Sequence, residues 1–252
     1  MLPEIHPYLR AVTTQRRETL RVGPFLATFD RDSANPYLSY AIPDDGAVPR
    51  PADVAALVSA YTGRGRVPRL EYLPALAPEV EPALLAAGFA VEARVPMMVC
   101  APAAAVPQPV PDGVALLAPE SDTDYLDLVR VQRAAFDDPE PVDAAAAARL
   151  RAVVDAGGLA VLARERSTGV PVGAGVGTVV IDGSTELVGL AVPEEYRCRG
   201  IAAAVTWELS RLAVAAGVTT AFLTPGGDVA ERVYARVGYR GIGEMLHISH
   251  PA

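Results

Sequence analysis

The chain is expected to be an α/β protein: a mixed β-sheet flanked by helices, laid down twice in tandem. Three observations predict this. The stretch from Glu186 to Ala202, ELVGLAVPEEYRCRGIA, reads as strand, short loop and helix start. A shift of 150 positions carries Ala41-Ile-Pro-Asp-Asp45 onto Ala191-Val-Pro-Glu-Glu195, Tyr72-Leu73 onto Phe222-Leu223, Glu81 onto Glu231 and Gly88-Phe89 onto Gly238-Tyr239, all in one ungapped register. Between the two copies lies Ala101–Pro111, APAAAVPQPVP, whose proline density favours an extended linker over a helix.

In the first copy, residues 1–100, a helix is expected from about Pro3 to Leu20, broken by Gly23-Pro24. Phe25–Phe29 and Leu38–Ile42 read as strands, and Ala52–Tyr61 as a helix ended by Gly63. Leu70–Leu73 is a strand, Glu79–Ala87 a helix and Phe89–Val99 a strand. This copy is truncated, because little sequence precedes its matching strand.

The second copy, residues 112–252, opens with a strand at Val114–Ala118. Ser121, with Asp124 three residues on, caps a helix running to about Phe136. Asp143 caps another to about Asp155, stopped by Gly157-Gly158. Leu159–Arg164 and Val172–Ile181 form a hairpin around Ser167-Thr-Gly169. Gly173-Ala-Gly-Val-Gly177 has the glycines of a dinucleotide fingerprint, but that motif needs a helix after it. Here Thr178-Val-Val-Ile181 continues a strand, so the glycines are assigned to close packing against a neighbour. The central strand Leu187–Val192 is apolar enough for burial on both faces and stops at Pro193, which cannot donate to a ladder. A helix then runs to about Ala216, followed by strand Ala221–Thr224, helix Val229–Val237 and strand Tyr239–Ser249.

Composition narrows the function classes. Hydrophobic residues are 51% of the 252, enough for real cores, yet no segment nears the ~20 apolar residues of a membrane span. The first twenty residues lack an apolar signal core and the two cysteines, Cys100 and Cys198, make no disulfide framework, so a cytoplasmic protein is expected. The net charge of −8 argues against nucleic acid or an anionic membrane as partner and suits a cationic substrate. Every residue in the Lys+Arg total is arginine.

The loop after the central strand is where chemistry concentrates. Gly200 and Ala202 are small where a helix begins, so free backbone N–H groups of the first turn are approachable. The helix N-terminus is partly positive, and Arg197 and Arg199 add two full charges: together a diphosphate site. Arg-x-x-Gly-x-Ala after LVGLAV resembles the pyrophosphate loop of the GNAT acyltransferase superfamily, and Tyr234-Ala-Arg-Val-Gly-Tyr239 resembles that family's turn from helix to last strand.

The resemblance implies two GNAT-like units in tandem and acetyl-coenzyme A as co-substrate, without a metal. Leu190, Ala191 and Val192 would pair with the pantetheine arm as an added strand does, and Arg197, Cys198, Arg199, Gly200, Ile201 and Ala202 would hold the diphosphate. The reaction implied is direct acetyl transfer to a primary amine, on a small-molecule or peptide acceptor. Tyr234 would be the general acid. Glu186, taken to face the same way as Val188, Leu190 and Val192, is the first candidate base, with Glu244 and His247 as runners-up. Cys198 stands where the family more often has glycine. Trp207 lies off the Ile201, Val205, Leu209, Leu212 stripe, which suggests burial against another unit or subunit; a homo-oligomer is compatible. In the first copy the matching segment Ala47–Ala52 has no glycine and carries Pro51 at the helix start, so that unit is expected to have lost coenzyme A binding. The alternative to an enzyme is a non-catalytic acyl-coenzyme A-binding or interaction module.

Overall fold

The computed structural model describes residues 2–15, 17–31 and 35–251; Arg16, inside the expected first helix, lies outside them. Two compact units emerge, one of Met1–Met97 with Gly241–Ala252 and one of Met98–Arg240.

Unit 1 begins with α1 (Leu2–Thr14), which is shorter than expected. Glu18–Val22 is instead a strand, β1, paired antiparallel with β2 (Phe25–Phe29), and Gly23-Pro24 is their turn. Only Val22 of β1 is buried, so its sequence lacks an alternating apolar signal; pairing with β2 decides its state. β3 (Ala41–Pro43), α2 (Pro51–Thr62), β4 (Arg69–Tyr72) and α3 (Val80–Ala86) follow. The strand expected at Leu38–Ile42 is shorter and later, because Pro36–Leu38 makes a tight 3-10 turn capped by Asn35.

Unit 2 contains β6 (Val114–Leu117), α4 (Asp122–Ala135), α5 (Ala144–Asp155), β7 (Leu159–Glu165), β8 (Pro171–Gly177), β9 (Ser184–Ala191), α6 (Ile201–Ala215), β10 (Thr220–Leu223) and α7 (Asp228–Val237). Its capping signals act as read. Ser121 Oγ accepts from Asp124 N–H at 3.2 Å while Asp124 accepts from Ser121 N–H at 3.0 Å, and Asp143 accepts from Ala146 N–H at 2.8 Å. Residues 101–111 pack on this unit, with a 3-10 turn at Pro102–Ala104 and a bond from Val106 N–H to Val237 C=O at 2.9 Å.

The remaining strands, β5 (Ala90–Cys100) and β11 (Arg240–Ser249), complete the sheets in a way not visible in the sequence. In unit 1, β11 pairs antiparallel with β4, Leu246 opposite Tyr72, and Leu246 and Ile248 enter the core with Phe25, Leu57 and Leu70. In unit 2, the last residues of β5 pair antiparallel with β10, Met98 opposite Leu223, and Met98 and Cys100 join Val161, Leu187 and Val205. Each unit is therefore completed by a strand segment from the other half of the sequence.

The sheet of unit 2 has a core on each face. One, with α6 and α7, gathers Leu187, Ile201, Val205, Leu209 and Tyr234; the other, with α4, gathers Leu128, Val131, Leu162 and Ala191. The glycines of β8 are packing residues. A Cβ on Gly173 would come within 2.6 Å of Ile201, and one on Gly175 within 2.8 Å of Leu190 and Leu209, so their absence lets α6 lie down on the sheet. Trp207 is half-buried against the same core.

The repeat is visible in backbone geometry. Ala47 N–H bonds to Asp44 C=O at 3.1 Å and, 150 positions on, Arg197 N–H bonds to Glu194 C=O at 3.1 Å. Phe89 to Leu84 and Tyr239 to Tyr234 match in the same way, both at 3.1 Å, and α2 and α6 start at Pro51 and Ile201.

Candidate active site

The site is built where β9 leaves its neighbour. β9 and β10 run parallel and pair at Ser184–Thr220, Thr185–Ala221 and Glu186–Phe222. β10 ends at Leu223 while β9 continues to Ala191, so the later residues of β9 extend past the paired segment. On its other side β9 carries a bulge. Val176 of β8 stands opposite Val188 and Ala174 opposite Ala191, leaving Gly189 and Leu190 to face Gly175 alone.

The bulge corrects one expectation. Strict alternation would place Glu186, Val188, Leu190 and Val192 on one face. With the extra residue, Val188 packs with the α4 core, whereas Leu190 and Val192 pack with the α6 core. Glu186 shares the α4 face with Val188.

Gly189 makes the bulge possible. Its φ is +58°, and a Cβ there would run into the side-chain amide of Gln132 on α4. That amide donates to Gly189 C=O at 3.1 Å, satisfying a carbonyl turned out of the ladder. Gln132→Leu is expected to cost about 1 kcal/mol of stability by leaving this carbonyl unpaired, measurable by denaturant unfolding.

The loop from β9 to α6 is exposed from Arg197 to Gly200. Gly200 caps α6 with φ +85° and no side chain caps the helix, so its first-turn N–H groups are available. A Cβ at Gly200 would touch only Pro111 Cγ, at 3.7 Å, which leaves open space above the helix end. Arg197 donates to Val192 C=O at 3.2 Å and to Ala135 C=O at 3.4 Å. Arg199 donates to Glu195 C=O at 2.8 Å and lies 5.2 Å from the Tyr196 ring. Each guanidinium has five N–H donors, so these contacts leave others for an anion. Cys198 has φ +62°, a conformation that favours glycine, which accounts physically for glycine as the alternative residue there. Ile201 is buried and Ala202 half-buried at the start of α6. The loop thus combines an uncapped helix N-terminus, open space above it and two exposed arginines.

Tyr234 sits on α7 in the α6-side core, 7% exposed. Its hydroxyl makes no hydrogen bond among the described residues, and burial pushes its pKa up to about 12. The neighbouring Tyr239 differs: its hydroxyl meets Ser210 Oγ at 3.1 Å inside the core. The runner-up bases both fall in unit 1, where Glu244 is exposed on β11. His247 accepts at Nδ1 from Arg69 at 3.2 Å, beside Glu71 and Glu92, and burial lowers its pKa. Among the described residues no helix is long and apolar enough to cross a membrane.

What the sequence reading missed was the role of Gln132 and Gly189. The glycine was in view as part of the central strand, but its meaning depends on the register of β8, which is a tertiary fact.

A sequence profile of the acetyltransferase (GNAT) family matches residues 125–239, the span that holds Glu186, the loop and Tyr234. Among solved structures, a GCN5-related N-acetyltransferase from Kribbella flavida is similar over 100% of this chain and 96% of its own, at 25% identity and a TM-score of 0.83. A GCN5-related N-acetyltransferase from Sphaerobacter thermophilus shares the fold over 92% of this chain and 83% of its own, at 16% identity and 0.65. A tandem GNAT protein from the clavulanic acid biosynthesis pathway shares it over 90% and 79%, at 14% and 0.65. No curated protein sequence matches the chain. Residues 125–239 thus match the acetyltransferase (GNAT) family profile, and the chain as a whole is similar in fold to GCN5-related N-acetyltransferases.

Proposed function

We propose that unit 2 transfers an acetyl group from acetyl-coenzyme A directly to a primary amine. Acyl-coenzyme A-dependent acyl transfer is the general chemistry of the family whose profile matches residues 125–239. The observation that carries the reading is the uncapped N-terminus of α6, with Gly200 and two arginines beside it, set directly after the segment of β9 that runs beyond β10. The diphosphate lies on the first turn of α6 with Arg197, Cys198, Arg199, Gly200, Ile201 and Ala202 around it. The pantetheine arm pairs with the backbone of Leu190, Ala191 and Val192.

Glu186 and Tyr234 lie on opposite faces of the unit 2 sheet. This suits a reaction in the gap between β9 and β10, with a base on the acceptor side and an acid on the thiol side. The amine nitrogen attacks the thioester carbonyl, a C–N bond forms and the C–S bond breaks. Glu186 accepts the proton of the amine, and Tyr234 donates one to the departing thiolate.

The test is free thiol release from acetyl-coenzyme A across an amine panel, with Glu186→Gln beside the wild type. Turnover on at least one amine is expected, lowered in Glu186→Gln with coenzyme A affinity unchanged. Tight binding with no turnover on any amine would favour the alternative, a non-catalytic acyl-coenzyme A-binding module.

A further inference from the structure

The ends of β3 and β4 in unit 1 are shut. Gly46, just past β3, donates its N–H to Leu76 C=O at 2.7 Å, directly across to the segment that follows β4. The residue 150 positions on, Tyr196, turns its N–H back to Pro193 C=O at 2.9 Å within its own loop. The closure of unit 1 is reinforced from α1. His6, fully buried, accepts at Nε2 from Leu73 N–H at 2.8 Å, and its Nδ1 lies 2.9 Å from Asp45. One ring thus bridges the residue after β4 and the loop after β3. One turn along α1, Arg10 donates to Pro43 C=O at 2.8 Å and to Asp45 at 3.1 Å.

The matching helix end is also unsuited to an anion. The register puts Arg50 where unit 2 has Gly200, and Pro51 at Ile201. Asp53 takes the cap: its carboxylate accepts from Arg50 N–H at 2.9 Å and from the Arg50 guanidinium. A fixed negative charge therefore occupies the place where a phosphate would bind, and Pro51 has no N–H to offer.

We propose that α1 is the resident occupant of the β3/β4 end of unit 1, with His6 as a proton-sensitive latch that keeps this end closed and without coenzyme A. The claim about coenzyme A rests on reading unit 2 as the coenzyme A site; the latch does not. The latch follows from tautomer chemistry. Leu73 N–H needs an acceptor, so Nε2 is unprotonated and Nδ1 carries the hydrogen that faces Asp45. A second proton would set a donor against the donor of Leu73.

The charged and titratable groups around the ring are Asp45 beyond β3, Arg10 on α1 and Tyr72 on β4, whose ring centre is 6.4 Å away. β2 and the turn at Pro74–Leu76 bring no charge. Burial lowers the His6 pKa from the usual 6.5, outweighing Asp45. The folded state therefore prefers the neutral ring. Its stabilisation is complete above about pH 6.5 and is lost as pH falls from there toward the lowered value. His247 is lowered in the same direction, so it must be separated from His6.

The test is amide hydrogen exchange of the 70–76 segment at pH 7.5 and 5.5, corrected for intrinsic rates, in wild type, His6→Gln and His247→Gln. Glutamine can still accept from Leu73 but does not titrate. Acidification is expected to raise exchange by about tenfold in wild type and His247→Gln, the scale of one lost buried hydrogen bond, and not in His6→Gln. Equal pH responses in wild type and His6→Gln would overturn the latch. If His6→Gln does not fold, the ring proton is read in the wild type by NMR. A ring titrating at or above 6.5 overturns the latch, and one titrating below it with loss of Leu73 protection supports it. Calorimetry with acetyl-coenzyme A is expected to give one site per chain. Two sites would overturn the closure of unit 1, whereas none would overturn the reading of unit 2 and leave the latch to the exchange result.

Discussion

Gly200→Glu is expected to abolish the stabilisation that acetyl-coenzyme A confers on this chain. At about a hundred times its dissociation constant, a ligand of the folded state adds about 2.7 kcal/mol, roughly 5–10 °C in Tm for a protein of this size. The diphosphate is proposed to sit on the first turn of α6, where no side chain caps the helix and a Cβ at Gly200 would meet only Pro111, at 3.7 Å. A glutamate there places a carboxylate over the free N–H groups and beside Arg197 and Arg199, acting as an internal competitor for the anion. Asp53 at the start of α2 illustrates the effect: bonded to Arg50, its pKa is lowered to about 2. Because Gly200 has φ +85°, any side chain adds strain of about 1–2 kcal/mol. Gly200→Ala carries that strain without the charge and is the control. Thermal scans with and without acetyl-coenzyme A should show a ligand response in wild type and Gly200→Ala and none in Gly200→Glu. An equal response in the glutamate variant would remove the loop from the binding site.

Tyr234→Phe is expected to lower kcat by about 10²-fold, at the low end for acid–base assistance. Thiolate is a tolerable leaving group, since a free thiol has a pKa of about 8.5, so the acid helps without being indispensable. Burial pushes the Tyr234 hydroxyl up to about 12, which keeps it protonated, as an acid must be, throughout the neutral range. A structural role would require the hydroxyl to hold something in place, at a cost of about 1 kcal/mol when removed. Tyr239 has such a role, through Ser210 at 3.1 Å; the Tyr234 hydroxyl has no partner among the described residues. Phenylalanine should therefore leave stability and coenzyme A affinity near wild type while turnover falls. Wild-type turnover on an accepted amine would remove Tyr234 from the mechanism.

Much of the fold was legible because it is written in local chemistry. Ser121 and Asp124 announce α4, Asp143 announces α5, and the small residues after Pro193 announce the uncapped start of α6. The repeat was legible because two copies of one backbone plan keep their turns and helix starts in step. The loop at 197–202 and Tyr234 stand out in the sequence as a family-like pattern and lie within the profile match at 125–239; their roles are what the Gly200→Glu and Tyr234→Phe experiments test.

What the sequence could not decide depends on partners distant along the chain. β1 is a strand because β2 pairs with it, not because ETLRV alternates. The face of Glu186 relative to Leu190 depends on a bulge that exists only between β8 and β9, held by an amide from α4. The exchange of β5 and β11 is a choice between similar edges in a repeated sequence. Local pattern leaves that choice open; Met98 and Cys100 pack in the core of unit 2, Leu246 and Ile248 in that of unit 1. His6 is one polar residue on a helix until the fold brings Leu73 and Asp45 to its two nitrogens. The sequence by itself determined most of the elements and their order, because helix periodicity, caps and strand runs act over a few residues. Tertiary structure alone decided registers, strand partners and the closed end of unit 1, because those follow from burial and hydrogen-bond satisfaction summed over contacts far apart in the chain.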